Sequence, residues 1–160
     1  MEVRLARLEL RYDHKEITLP DTRFELSQML HQWGLSRGPQ EVGWVLSYSN
    51  EKRVHTFIEV ARGTQRHLPI HLPTLLGAAL ASGTDRFAFI HSHPGGDLTP
   101  SPQDLEVTET IATAAALCGL YLDDHFIVTN DPTKSLSLEK TGYYVPPPHM
   151  DTDAAKYGAA

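Results

Sequence analysis

Fourteen residues, His91-Ser92-His93-Pro94-Gly95-Gly96-Asp97-Leu98-Thr99-Pro100-Ser101-Pro102-Gln103-Asp104, constrain this chain more than any other stretch. Upstream, Arg86-Phe87-Ala88-Phe89-Ile90 has the short apolar, aromatic pattern of a buried strand, so His91 and His93 fall at or just past a strand end. Residues two apart on an extended chain project to one side, which aims both imidazoles at the same region and turns Ser92 away. Pro94, Gly95 and Gly96 then stop the strand. Ser101 suits a helix N-cap, Pro102 the first helical position and Asp104 position N3, where exposed N–H groups and the helix dipole favour a carboxylate. Leu105, Ile111, Ala112, Ala115 and Cys118 continue this helix as an amphipathic element. A helix start facing a strand end carries Asp104 toward the histidines. Two imidazoles and a carboxylate are a three-ligand set that leaves a fourth tetrahedral position of Zn²⁺ for water. With one cysteine, Cys118, the chain has no thiolate cage to offer.

The spacing His-x-His, seven residues, Ser, two residues, Asp resembles the signature of the JAMM (JAB, MPN+) metallopeptidases, in which a distant Glu completes the set. Gly96-Asp97, Thr99-Pro100-Ser101, Asp104 and Asp124-His125-Phe126-Ile127-Val128 resemble its bacterial RadC-like branch, over residues 38 to 143. The resemblance implies His91, His93 and Asp104 as zinc ligands, Ser101 as a donor to the oxyanion and an upstream Glu as general base. It also implies a three-layer αβα fold with a central mixed β-sheet, of the cytidine-deaminase-like JAB/MPN kind. True zinc deaminases pair His-x-Glu with Pro-Cys-x-x-Cys, and that cysteine pair is missing. The chain departs from the branch at two places, with Leu72-Pro73-Thr74 in place of Pro-Arg-Glu and Ser92 in place of Asn.

The Glu has three candidates. Glu41 directly precedes Val42-Gly43-Trp44-Val45-Leu46-Ser47-Tyr48, a buried strand that Ser49-Asn50-Glu51-Lys52 reverses into a second strand over Val54–Val60. A carboxylate heading an apolar strand beside a metal is suited to take a proton from its water. The RadC-like pattern places its Glu here too, so Glu41 is preferred over Glu51, in the turn, and Glu59, in the second strand.

The rest of the pattern supports one domain of alternating strands and helices, residues 1–143, large enough to bury about two thirds of its unfolded surface. Residues 1–37 hold a strand (Val3, Leu5, Leu8, Leu10 alternating with charged residues) and a helix with a Thr22/Glu25 capping box, an apolar face of Leu26, Met29, Leu30 and Trp33, and Gly34 as its end. Residues 38–143 form the catalytic core. Within it, Pro73–Ala81 reads as a helix with Leu75, Leu76, Ala79 and Leu80 inward, Leu120–Val128 as a strand and Ser135–Leu138 as an edge strand. Asp124 and His125 are candidates to support the metal ligands from behind, or are ordinary strand residues. His67 and His71 have no partner at ligand spacing and read as structural or exposed. From Tyr144 to Ala160 the periodicity ends, and a disordered tail is expected.

Charge narrows the partners. Fourteen Lys and Arg against twenty Asp and Glu give a net charge of −6, a poor match to a phosphate backbone, so direct nucleic-acid binding is not expected. The longest mostly apolar run, Ile111–Leu122, falls short of the ~20 residues of a membrane span, and Met1-Glu2-Val3-Arg4 lacks the form of a signal peptide. A cytoplasmic location is the default for a chain without disulfides. The expectation that follows is a zinc metallopeptidase or isopeptidase acting on a peptide or isopeptide-linked protein. Its rival is a RadC-like zinc-binding accessory module linked to DNA metabolism, without turnover.

Overall fold

The computed structural model describes residues 17–20, 23–33 and 38–148. The expected strand over Val3–Arg11, the Thr22 and Gly34 ends of the first helix and the tail from residue 149 lie outside them. The elements run α1 (Arg23–Gln32), β1 (Val42–Tyr48), β2 (Val54–Arg62), α2 (Leu72–Leu80), β3 (Arg86–Ser92), α3 (Pro102–Leu117), β4 (Tyr121–Val128) and β5 (Ser135–Ser137). Five strands form one mixed sheet in the order β2-β1-β3-β4-β5, antiparallel except for the parallel β3–β4 pair. Parallel neighbours need a long crossover, and α3 supplies it.

Side-chain alternation divides the core into two layers. Val45, Phe87, Phe89, Leu122 and Ile127 pack under Leu75, Ala78 and Ala79 of α2 and Ile111 and Ala115 of α3. On the other face, Val42, Trp44, Leu46, Ile90 and Val128 meet Leu26 and Leu30 of α1. Helices on both faces of a mixed sheet make the αβα arrangement that the pattern implied, and no helix of the described residues is long and apolar enough to cross a membrane. Complete burial of Phe87 and Phe89 is worth about 1.5–3 kcal/mol each before entropy is counted.

Helix α3 buries Thr108, Ile111 and Ala115, spaced to share one face. Its end is a Schellman motif: Gly119, at φ +73°, donates to Ala116 O at 3.1 Å while Leu120 N–H reaches Ala115 O at 2.9 Å. A side chain at position 119 would be strained, and the reversal there feeds the chain directly into β4. Three expectations are corrected. Leu80 is 51% exposed, because the short α2 buries the stripe Leu75, Ala78 and Ala79 instead. Cys118 is exposed because it is the C-cap, beyond the last core-facing turn. Tyr144, assigned by pattern to the tail, is buried against the core, with its hydroxyl donating to Leu122 O at 2.7 Å and its N–H to Leu138 O at 3.0 Å.

Candidate metal centre

The β3 ladder holds the two histidines in place. His91 pairs with Gly43 of β1 and Ile127 of β4, and His93 N–H extends the ladder past its formal end by donating to Val128 O at 2.8 Å. The rings share one side of the strand, with Nε2 of His91 2.8 Å from Nε2 of His93. Ser92 faces the opposite way, fully buried, and its hydroxyl accepts from Val42 N–H at 3.0 Å. That contact pins the start of β1, the residue after Glu41, to the strand that carries the histidines.

Asp104 arrives as the capping pattern requires. Ser101 Oγ accepts from Asp104 N–H at 3.1 Å, and Asp104 Oδ2 accepts from both Ser101 N–H and Ser101 Oγ at 2.7 Å. Asp104 Oδ1 then lies 3.2 Å from His91 Nε2, and Oδ2 3.6 Å from His93 Nε2. His91, His93 and Asp104 thus each present one ligand atom within 4.8 Å of the others, a group that could hold a metal ion.

The donor set fits a cation. His93 donates through Nδ1 to Asp97 O at 2.7 Å, so its neutral ring has only a lone pair at Nε2. That lone pair, the neighbouring imidazole and two carboxylate oxygens form an electron-rich cluster that needs a proton or a metal at its centre. Burial works to lower the His93 pKa, but hydrogen bonding to Asp104 and the Asp97 carbonyl carries it above the ordinary value. Burial would raise Asp104, yet its close contacts with the two imidazoles outweigh it and hold the carboxyl far below the usual range. Burial pushes the His91 pKa below its usual value despite Asp104. Phe89 walls off this end, stacked 6.1 Å from the His91 ring and tilted 4.8 Å from that of His125.

A cleft of about 160 Å³ opens over the cluster, lined by Glu41, Arg66, His67, Leu68, Gln103 and Val107 among others. Glu41 sits where His93, Asp104 and His67 act on its charge; burial is the largest influence and raises its pKa. Its backbone is tied to the end of β2, with Glu41 N–H donating to Thr64 O at 2.7 Å and Gly63 N–H to Glu41 O at 2.8 Å. A Cβ on Gly63 would fall 1.9 Å from His67 O, so only glycine admits the fold-back that brings Arg66 and His67 to the cleft. Glu51 lies at the opposite end of the hairpin, fully exposed, and Glu59 is engaged by Arg62 at 2.7 and 2.9 Å. His71 bonds Thr74 at 2.9 Å, away from the cluster, whereas His67, read from sequence as structural or exposed, is exposed but borders the cleft.

Of the pair Asp124-His125, only the histidine reaches the site: His125 Nε2 is 2.6 Å from His91 Nδ1. Asp124 turns away, accepting from Ser137 Oγ, Glu139 N–H and the N–H of His125 itself. The pairing of β3 with β4 skips Asp123, which places Leu122 and His125 on the same face although they are three apart. This irregularity aims His125 at His91.

Comparison with known proteins adds the following. Residues 21–143 match the family model described as RadC-like JAB domain. A UPF0758 protein of Polaromonas sp. (strain JS666 / ATCC BAA-500) is 32% identical over 138 residues, 86% of this chain and 60% of the relative. One from Desulforudis audaxviator (strain MP104C) is 32% identical over 96 residues, 60% of this chain and 42% of that protein. Another, from Neisseria gonorrhoeae (strain NCCP11945), is 31% identical over 121 residues, 76% of this chain and 53% of that protein. The chain therefore spans about half the length of these curated relatives.

Proposed function

Since the chain belongs to the family of RadC-like JAB domains, we propose that it is a JAMM-type zinc hydrolase that cleaves an amide, in a peptide or a lysine-linked isopeptide. The observation that carries this reading is the convergence of His91, His93 and Asp104 at the floor of an open cleft that Glu41 also lines. Bound zinc would supply Lewis acidity, lowering the pKa of a water toward about 7 and polarising the scissile carbonyl. His91 and His93 would hold it through Nε2 and Asp104 through its carboxylate. Glu41 takes a proton from the attacking water and delivers it to the leaving amine, a role worth roughly 10² to 10⁴ in rate. Partial burial of Glu41 makes it a stronger base than a solvated carboxylate. Ser101 Oγ donates to the oxyanion once its proton is released from Asp104.

That last requirement supports the competing reading, a zinc-binding module without turnover, because the single proton of the Ser101 hydroxyl is already given to Asp104 Oδ2. A screen of peptide and isopeptide substrates with zinc-loaded wild type and Glu41→Gln separates the two. Hydrolysis is expected from wild type alone, at equal zinc content. Zinc bound by both proteins with no turnover across the panel would favour the module.

A further inference from the structure

We propose that Thr108 and His125 form a hydrogen-bond relay that fixes the tautomer of His91, so that its Nε2 faces the metal position as a bare lone pair. The inference rests on the metal-centre reading above and concerns two residues that are not ligands. His93 needs no such help, because its Nδ1 meets a carbonyl, which can only accept. His91 is different. Its Nδ1 meets another imidazole nitrogen, 2.6 Å away on His125, and either ring of such a pair is able to hold the proton between them.

The direction is settled two bonds further on. Thr108 Oγ donates its single proton to the carbonyl oxygen of Asp104, one helical turn back, at 2.6 Å. It therefore receives, rather than gives, at its 2.6 Å contact with His125 Nδ1. Nδ1 of His125 must carry the hydrogen. The ring is fully buried, so a second proton would place an unhydrated charge in the core. Its Nε2 is then an acceptor, and the hydrogen at the His91–His125 contact belongs to His91 Nδ1. His91 Nε2 is left bare, 3.2 Å from Asp104 Oδ1 and 2.8 Å from His93 Nε2.

The relay closes on the centre it serves. It begins at the backbone carbonyl of Asp104 on α3, passes through Thr108 and then His125 on β4, and ends at His91 on β3. Two ligands from different elements are thereby held by one run of polar contacts. With the opposite sense, His91 would point an N–H at the metal position, and a cation would have to expel that proton before binding.

Nitrogen-15 NMR of the imidazoles and Zn²⁺ titration against a chromophoric chelator test this in wild type, Thr108→Val and Thr108→Ser. In metal-free wild type and Thr108→Ser, His91 and His125 should both be protonated on Nδ1. Thr108→Val removes the acceptor for His125. His91 should then show the Nε2–H form, and zinc binding should weaken about 10–100-fold, with His93 still protonated on Nδ1 as the internal control. A wild-type His91 protonated on Nε2 overturns the relay, as does a Thr108→Val protein that binds zinc within about twofold of wild type. If wild type takes up no zinc, the metal reading fails, and the tautomers of the metal-free protein still judge the relay. A Thr108→Val protein that does not fold leaves the wild-type and Thr108→Ser spectra as the deciding measurement.

Discussion

Ser101 has two separable duties, and replacing it with alanine and with glycine pulls them apart. Its backbone, at φ −73° and ψ 160°, is extended, so neither replacement is strained there. As the N-cap of α3 its hydroxyl accepts from Asp104 N–H at 3.1 Å and donates to Asp104 Oδ2 at 2.7 Å. Losing a serine cap to alanine costs about 1 kcal/mol, but to glycine only a few tenths. For a domain of this size the alanine variant should melt roughly 3 °C below wild type and the glycine variant within about 1 °C of it. Removing one oxyanion donor costs about 10² to 10³ in kcat, whichever residue replaces it. Stability should thus fall in the order wild type, glycine, alanine, whereas cleavage should fall equally in both variants. Thermal melts and zinc-saturated turnover on a substrate taken from the screen read the two scales separately. A glycine variant that cleaves like wild type would reduce Ser101 to a cap; an alanine variant as stable as wild type would refute the capping argument.

Other perturbations probe the remaining parts. Zinc at 100 times its Kd should stabilise the wild type by about 2.7 kcal/mol, reversibly with EDTA, and His93→Ala should lose this response; an equal melting shift in both proteins would remove His93 from the ligands. In the metal-free protein burial raises the Glu41 pKa above its ordinary 4.5. A raised folded-state value means that the carboxyl's contribution to stability is fully present below 4.5 and is lost as pH climbs through the folded value. Glu41→Gln should therefore gain in melting temperature relative to wild type as pH rises from 4.5, and a relative loss would contradict the burial of Glu41. In Gly63→Ala the added Cβ meets a backbone oxygen at 1.9 Å. Such overpacking costs about 1–3 kcal/mol, and turnover should fall while zinc content holds, since the ligands sit on β3 and α3; an unchanged melt would refute the close approach.

The triad that could hold a metal was legible because its geometry is almost wholly local. An extended run aims His91 and His93 to one side, Pro94 to Gly96 turn the chain, and Ser101 with Pro102 starts a helix that puts Asp104 at N3; each preference acts within a few residues of the next. The same holds for β1, β2, α3 and β4, whose apolar runs and caps stand in the sequence, and the αβα arrangement follows from their alternation. His125 was visible only as a candidate. Counting alternate residues from Leu122 puts it on the wrong face, and only the irregular pairing with β3 restores it, an outcome of how two strands 34 residues apart along the chain settle against each other. Burial of Tyr144, exposure of Leu80 and the return of the Arg66–His67 loop to the cleft likewise depend on which surfaces were left open by distant elements. Sequence alone thus determined which three groups could meet a cation, since short-range backbone preferences suffice to gather them. Tertiary structure alone decided what stands behind and around them, because strand register and close backbone approach are set by packing across the whole sheet, which no local pattern encodes.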